Sequence, residues 1–185
     1  MRWAALFDDL EGQALELEHA ARAAEIEERT RGEIGAVALW DRARAAIGSP
    51  VRVRLAGGGA ASGTLARVGR DWWLLDAGAG REVLLATASL TAVRGLGRGA
   101  ASPGTVGPVE ARSGLRQLLR AIARDRSSVR VELTDGSVVT GTLDRVGNDF
   151  VDLAVHAAGE PRRRHEVREV ALIPLSAVAA VRRSV

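Results

Sequence analysis

The chain has no cysteine and no tyrosine, a single methionine, and aromatic residues at only 3% of its 185 positions. The missing thiols exclude disulfides, thiolate metal sites and cysteine nucleophiles together, and they suit a reducing compartment. Lysine is missing too, so all 26 basic side chains are arginines. That bias follows from a GC-rich genome more readily than from a need for guanidinium chemistry. No apolar stretch approaches the roughly 20 residues of a membrane span. The first apolar turn runs at once into Asp8, Asp9 and Glu11, unlike a secretory leader. A cytoplasmic protein without membrane association is expected.

What is present is a repeat. The run from Val51 to Leu75 returns 78 positions later, from Val129 to Leu153, with about half of the aligned residues identical. Val51, Val53 and Leu55 alternate with Arg52 and Arg54, which is the period of a strand with one buried face. A Gly57-Gly58-Gly59 turn follows, matched in the second copy by Asp135-Gly136, a hairpin signal that predicts a type I′ turn. Gly63 and Gly141 stand inside the second strands, where glycine marks a bulge, a bend or a close backbone approach. The copies then match at Arg81–Leu85 against Arg168–Leu172 and at Thr91–Arg94 against Ala179–Arg182, so each holds five short strands.

Ahead of the repeats, residues 2–31 carry Trp3, Leu6, Phe7, Leu10, Ala14 and Leu17 at three- and four-residue steps, which predicts an amphipathic helix. The spacing resumes through Ile34, Val37, Trp40, Ala43 and Ile47 after Gly32 and Gly35, giving either one bent helix or two. A second helical pattern, Leu115 to Arg124, precedes the second copy as Trp40 to Ile47 precedes the first. The Gly-rich stretch from Gly95 to Gly107 reads as a flexible linker.

A helix followed by five bent strands, with x-Val-x-Leu-x-x-Gly, Gly-Thr-Leu, Asp-Phe-Val-Asp-Leu and a closing Ile-Pro-Leu-x-x-Val-x-x-Val, resembles the Sm-like family of Sm, LSm and Hfq proteins. The resemblance covers Trp40 to Leu96 and Leu115 to Arg183. It implies a mainly β fold with α, built as two tandem Sm-like or SH3-like five-stranded barrels, each with its own helix. Residues 1–35 are then the N-terminal helix, 36–96 the first barrel, 97–113 the linker and 114–185 the second barrel. Other small SH3-like barrels, such as Tudor or RimM-like modules, share this strand count. The resemblance also implies a homo-oligomer closed through strand edges. Family members hold a uracil base with an Asp and an Asn after the second strand, and carry Arg-Gly in the last hairpin. Gly69 and Gly147 stand at the Asp position, Asn148 matches the Asn in one copy only, and Arg94-Gly95 in the first copy faces Arg182-Arg183 in the second.

Chemistry is sparse. His19, His156 and His165 have no second ligand at metal spacing, and no nucleophile motif appears, so no enzyme activity, cofactor or metal is expected. The net charge of +3 hides an asymmetry. The first 47 residues hold ten acids and six arginines, the remainder thirteen acids and twenty arginines. A basic body favours RNA or DNA as partner, and Arg162, Arg163, Arg164, His165 and Arg168 form the densest basic cluster for a phosphate backbone. Arg94, Arg182 and Asn148 complete the expected nucleic-acid surface. Arg52, Arg54 and Arg130 read as ordinary outward charge on strands. Trp72 and Trp73 are adjacent on one strand, so their rings leave on opposite faces and one is expected at an interface or stacked on a base. Trp3, Phe7 and Leu10 are the matching interface candidates on the helix. The alternative is an interaction scaffold whose acidic N-terminal helix docks a protein partner.

Overall fold

The computed structural model describes residues 16–19, 21–25, 27–29, 32, 34–101, 113–156 and 169–184. The chain forms two compact units, Met1–Ala38 and Leu39–Val185. In the first, residues 16–19, 21–25, 27–29, 32 and 34–35 are helical and solvent-exposed. Arg22 and Glu18 pair there one turn apart at 3.5 Å, an exposed contact that contributes little. Trp3, Phe7 and Leu10 lie outside the described residues. Residues 36–38 are not helical, so of the apolar positions from Ile34 to Ile47 only Ile34 falls on one helix and Trp40 and Ala43 on another, while Val37 and Ile47 lie in non-helical backbone.

The second unit begins with α1 (Leu39–Ala45), which leads into β1 (Pro50–Leu55), β2 (Ala60–Val68), β3 (Trp72–Asp76), β4 (Glu82–Ala86) and β5 (Leu90–Arg94). It continues with α2 (Leu115–Asp125), β6 (Ser128–Leu133), β7 (Val138–Val146), β8 (Phe150–Val155), β9 (Glu169–Pro174) and β10 (Val178–Arg183). The described residues are mainly β. No helix among them is long and apolar enough to cross a membrane.

All ten strands join one antiparallel sheet in the order β5-β1-β2-β3-β4-β10-β6-β7-β8-β9, with β5 and β9 as its two ends. Each half repeats one order, fifth strand, first, second, third, fourth. The halves meet where β4 pairs with β10, setting Leu85 opposite Ala180, Leu84 opposite Val181 and Val83 opposite Arg182. Strand pairing also corrects the alignment of the repeats. Trp72 faces Ala86 and Phe150 faces Pro174, so Leu84 corresponds to Leu172 and Leu85 to Ile173, one position from the sequence match. The sequence match slips because β4 and β9 are apolar at successive positions and give no alternation to fix the phase.

Two hydrophobic clusters lie in the sheet, and each reaches across the joint. Val53, Leu65, Trp73, Leu75 and Leu85 form the first together with Ala179 and Ala180 from β10. Leu119, Val131, Leu143, Val151 and Leu153 form the second together with Trp72, Leu84 and Ala86 from the first half. Strand alternation explains the partition: adjacent Trp72 and Trp73 point to opposite faces, and each fills a different cluster. Trp72 also donates from Nε1 to the Ser113 carbonyl at 2.6 Å. Helix α2 buries Leu115 and Leu119 in the second cluster, and its first N–H groups need acceptors. Gly114 has no side chain to cap them. The Asp71 carboxylate, from the turn after β2, accepts the Leu115 N–H at 3.0 Å and completes the cap from the other half. Asp71→Ala is therefore expected to lower stability by about 1 kcal/mol in thermal or urea unfolding. Asp149→Ala, at the matching turn, is expected to change it much less.

Several local expectations are refined. Asp135-Gly136 is not a type I′ turn, since only Gly136 has positive φ (89°), and Leu133 N–H bonds the Ser137 carbonyl across a three-residue loop. Ser137 donates through its backbone N–H and hydroxyl to the Asp135 carboxylate and holds its pKa below the usual value. Gly63 and Gly141 mark close approach, while the ladder shifts lie further on, between Leu65 and Arg67 and between Leu143 and Arg145. The Gly95–Gly107 stretch is anchored at its start. Leu96 is buried in the first cluster, and Ala101 N–H donates to the Asp41 carbonyl at 3.0 Å. The remainder, from 102, lies outside the described residues.

Candidate nucleic-acid interface

Burial alternates along β1, with Val51, Val53 and Leu55 inward, so Arg52 and Arg54 are exposed on the other face. The pairing register then decides what stands beside them. Arg52 lies directly opposite Arg94 on β5 and opposite Ser62 on β2. Two like charges at directly opposed positions cost roughly 0.2–1 kcal/mol. Neither arginine makes an ion pair or hydrogen bond among the described residues. The pair borders an open cleft of about 620 Å³, lined also by Ser62, Thr64 and Asp76 and by the backbone at Gly63, Gly78 and Gly95. The one carboxylate there, Asp76, accepts the Gly78 N–H at 2.8 Å within its own turn.

The second half repeats the row. Arg130 on β6 lies opposite Arg182 on β10 and opposite Thr140 on β7. Here one charge is compensated. Arg182 is half-buried at the joint, pairing with Glu132 at 2.6 Å and donating to the Ala60 carbonyl at 3.3 Å. Arg183 pairs with Asp125 at 2.6 Å. The Ser127 hydroxyl and then the Arg183 guanidinium hold the Asp125 carboxyl below its ordinary value. Arg130 is exposed and has no such partner among the described residues.

The other expected site residues are placed as follows. Asn148 is exposed in the turn between β7 and β8 and accepts a hydrogen bond from Arg116. Arg162, Arg163, Arg164, His165 and Arg168 lie outside the described residues. Arg94 stands at the far end of β5 rather than in the turn between β4 and β5, which is Thr87–Ser89. Trp72 and Trp73 are 4% and 0% exposed, so neither is available to stack on a base. Gly69 and Gly147 have a packing cause, because a Cβ there would come within 2.1 Å of the Trp72 indole and 2.4 Å of the Phe150 ring. His156 is buried, with its Nε2 2.9 Å from the Thr142 hydroxyl. No cluster of metal-ligating side chains is present among the described residues.

No family model matches the chain, and no curated protein matches it. Sequence reasoning set aside Arg52 and Arg130, because opposition depends on register between strands about forty residues apart. The available signal was the repetition itself, Val-Arg-Val followed by a later Val-Arg, once in each copy.

Proposed function

We propose that the protein is a non-enzymatic tandem pair of Sm-like barrels that binds RNA or DNA by its phosphate backbone, through the opposed arginines of each half. The repeated strand order and the helix ahead of each five-strand set support the barrel reading. The observation that carries the binding reading is Arg52 facing Arg94 in an open cleft without a carboxylate partner among the described residues. A bridging phosphate would turn their mutual repulsion into two charge-assisted hydrogen bonds. The exposed Ser62 and Thr64 hydroxyls beside them supply neutral donors suited to phosphate oxygens. Arg130 with Arg182 offers a second, weaker point of contact, and the arginines from 162 to 168 would add phosphate contacts of their own.

Such binding is dominated by counterion release, so it depends steeply on salt and little on base sequence. Fluorescence anisotropy with mixed-sequence single-stranded oligonucleotides checks it. Arg52→Ala with Arg94→Ala is expected to weaken binding by roughly tenfold and to flatten the log-log salt slope by about 0.7, the loss of one bridged phosphate. An absence of binding at about 50 mM salt would reject the proposal.

A further inference from the structure

We infer that His156 plugs the second half's copy of the Arg52–Arg94 cleft, so that the chain offers one open phosphate site and keeps a second, latent one behind a single side chain. This rests on the phosphate-binding reading above and adds what controls how many such sites are available.

The two places are related by the repeat. Arg52, Ser62 and Thr64 return as Arg130, Thr140 and Thr142, and they pair alike: each arginine faces the first hydroxyl residue, while Pro50 or Ser128 faces the second. Strand alternation sets all of these side chains on one face of the sheet. Their surroundings differ. Thr64 is exposed, whereas Thr142 is 2% exposed.

The cause lies where the third strand of each half ends. β3 stops at Asp76, opposite Thr64, and the chain turns away, with the Asp76 carboxylate accepting the Gly78 N–H and the Ala77 N–H bonding the Arg81 carbonyl at 2.8 Å. β8 runs further along its neighbour. Ala154 faces Thr142, Val155 faces Gly141, and the His156 N–H donates to the Thr140 carbonyl at 3.3 Å. That bond carries His156 onto the row of Thr140 and Arg130. In the first half the same position is Gly78, so an imidazole stands where the open cleft has no side chain. The ring is 3% exposed, and its Nε2 lies 2.9 Å from the Thr142 hydroxyl. It thus occupies the hydroxyl whose counterpart, Thr64, is left to solvent.

Behind the ring the donors for a phosphate are already assembled. Arg130 and the hydroxyls of Thr140 and Thr142 repeat the first cleft, and Ser128 adds one where Pro50 has none. The Ser128 Oγ is buried and has no hydrogen-bond partner among the described residues. Buried hydroxyls are ordinarily satisfied, and an orphaned one two residues from an arginine suits a phosphate oxygen. Arg182 stays tied to Glu132, so Arg130 would supply the charge.

Fluorescence anisotropy of the full chain with mixed-sequence single-stranded oligonucleotides tests the plug. His156→Ala is expected to tighten binding by roughly tenfold and to steepen the log-log salt slope by about 0.7, one phosphate gained. Adding Arg130→Ala is expected to remove that gain, whereas a histidine that only stabilises the fold would change the melting temperature and leave affinity alone. A second measurement needs no change at His156, because the chain has no cysteine of its own. Thr64→Cys is expected to react with a maleimide much faster than Thr142→Cys. The inference is overturned if folded His156→Ala binds no tighter than wild type, if the gain survives Arg130→Ala, or if the two thiols react alike. Failure of the wild type to bind is a separate result: it rejects the Arg52–Arg94 reading, while the thiol rates and an Arg130-dependent gain in His156→Ala still decide this one.

Discussion

Trp72→Ala is expected to lower the free energy of unfolding by about 3–5 kcal/mol, the range for truncating a large buried aromatic. Against a total of about 5–15 kcal/mol for a domain, that is a major loss. The indole lies in the second cluster although its strand belongs to the first half, and its N–H bonds the Ser113 carbonyl just ahead of α2. Truncation therefore opens a cavity at the joint and leaves that carbonyl without its donor. Phe150 occupies the matching place in the second half, where it is only partly buried. Phe150→Ala is expected to cost well under half as much in the same urea titration. Equal losses would show that position in the repeat, and not contact across the joint, sets the value of Trp72.

Gly141→Ala is the other change with a large expected effect. A Cβ at Gly141 would come 2.1 Å from the Ala154 carbonyl oxygen, and one at Gly63 would come 2.3 Å from the Asp76 carbonyl oxygen. Contacts this short require the obstacle to move, and here it is the backbone of the paired strand. One methyl group must therefore shear a ladder whose register also fixes Val151 and Leu153 in the core. The cost is expected to be about 3 kcal/mol or more, the upper range for overpacking. Gly58→Ala meets no atom within 4 Å but has φ of 84°, so it is expected to lose only about 1–2 kcal/mol. Gly99→Ala, with open space and no positive φ, is expected to be neutral. Thermal melts of the three variants order them directly, and a Gly141→Ala protein as stable as the Gly99→Ala one contradicts the steric account.

The strands were legible because a buried face alternates with a polar one, as at Val51, Val53 and Leu55, and because each pattern occurs twice. The glycines inside β2 and β7 were legible only as a bulge, a bend or a close approach, and the structure selects the last. The joint was not. Glu-Val-Leu-Leu-Ala on β4 states that both faces are buried, but it does not name the strand that covers the second face, which comes from nearly a hundred residues away. Helix α2 has the same ambiguity, since a Gly at its start left the capping acid to be supplied by Asp71, far off in sequence. At the candidate interface, composition pointed to arginines as a class. Which two oppose each other depended on the β1–β5 register, and that information is spread over both strands and everything between them.

The positions of Ala179, Ala180 and Trp72 have a consequence for how the duplicated segment behaves. Cut between the copies, the first segment would be left with a hole where two small residues of the other sat, and with a bare indole on its flank. The second would lose the ring, Leu84 and Ala86 from its interior together. What was copied in sequence is thus about half of what is expected to melt in one step, because each copy draws part of its interior from the other.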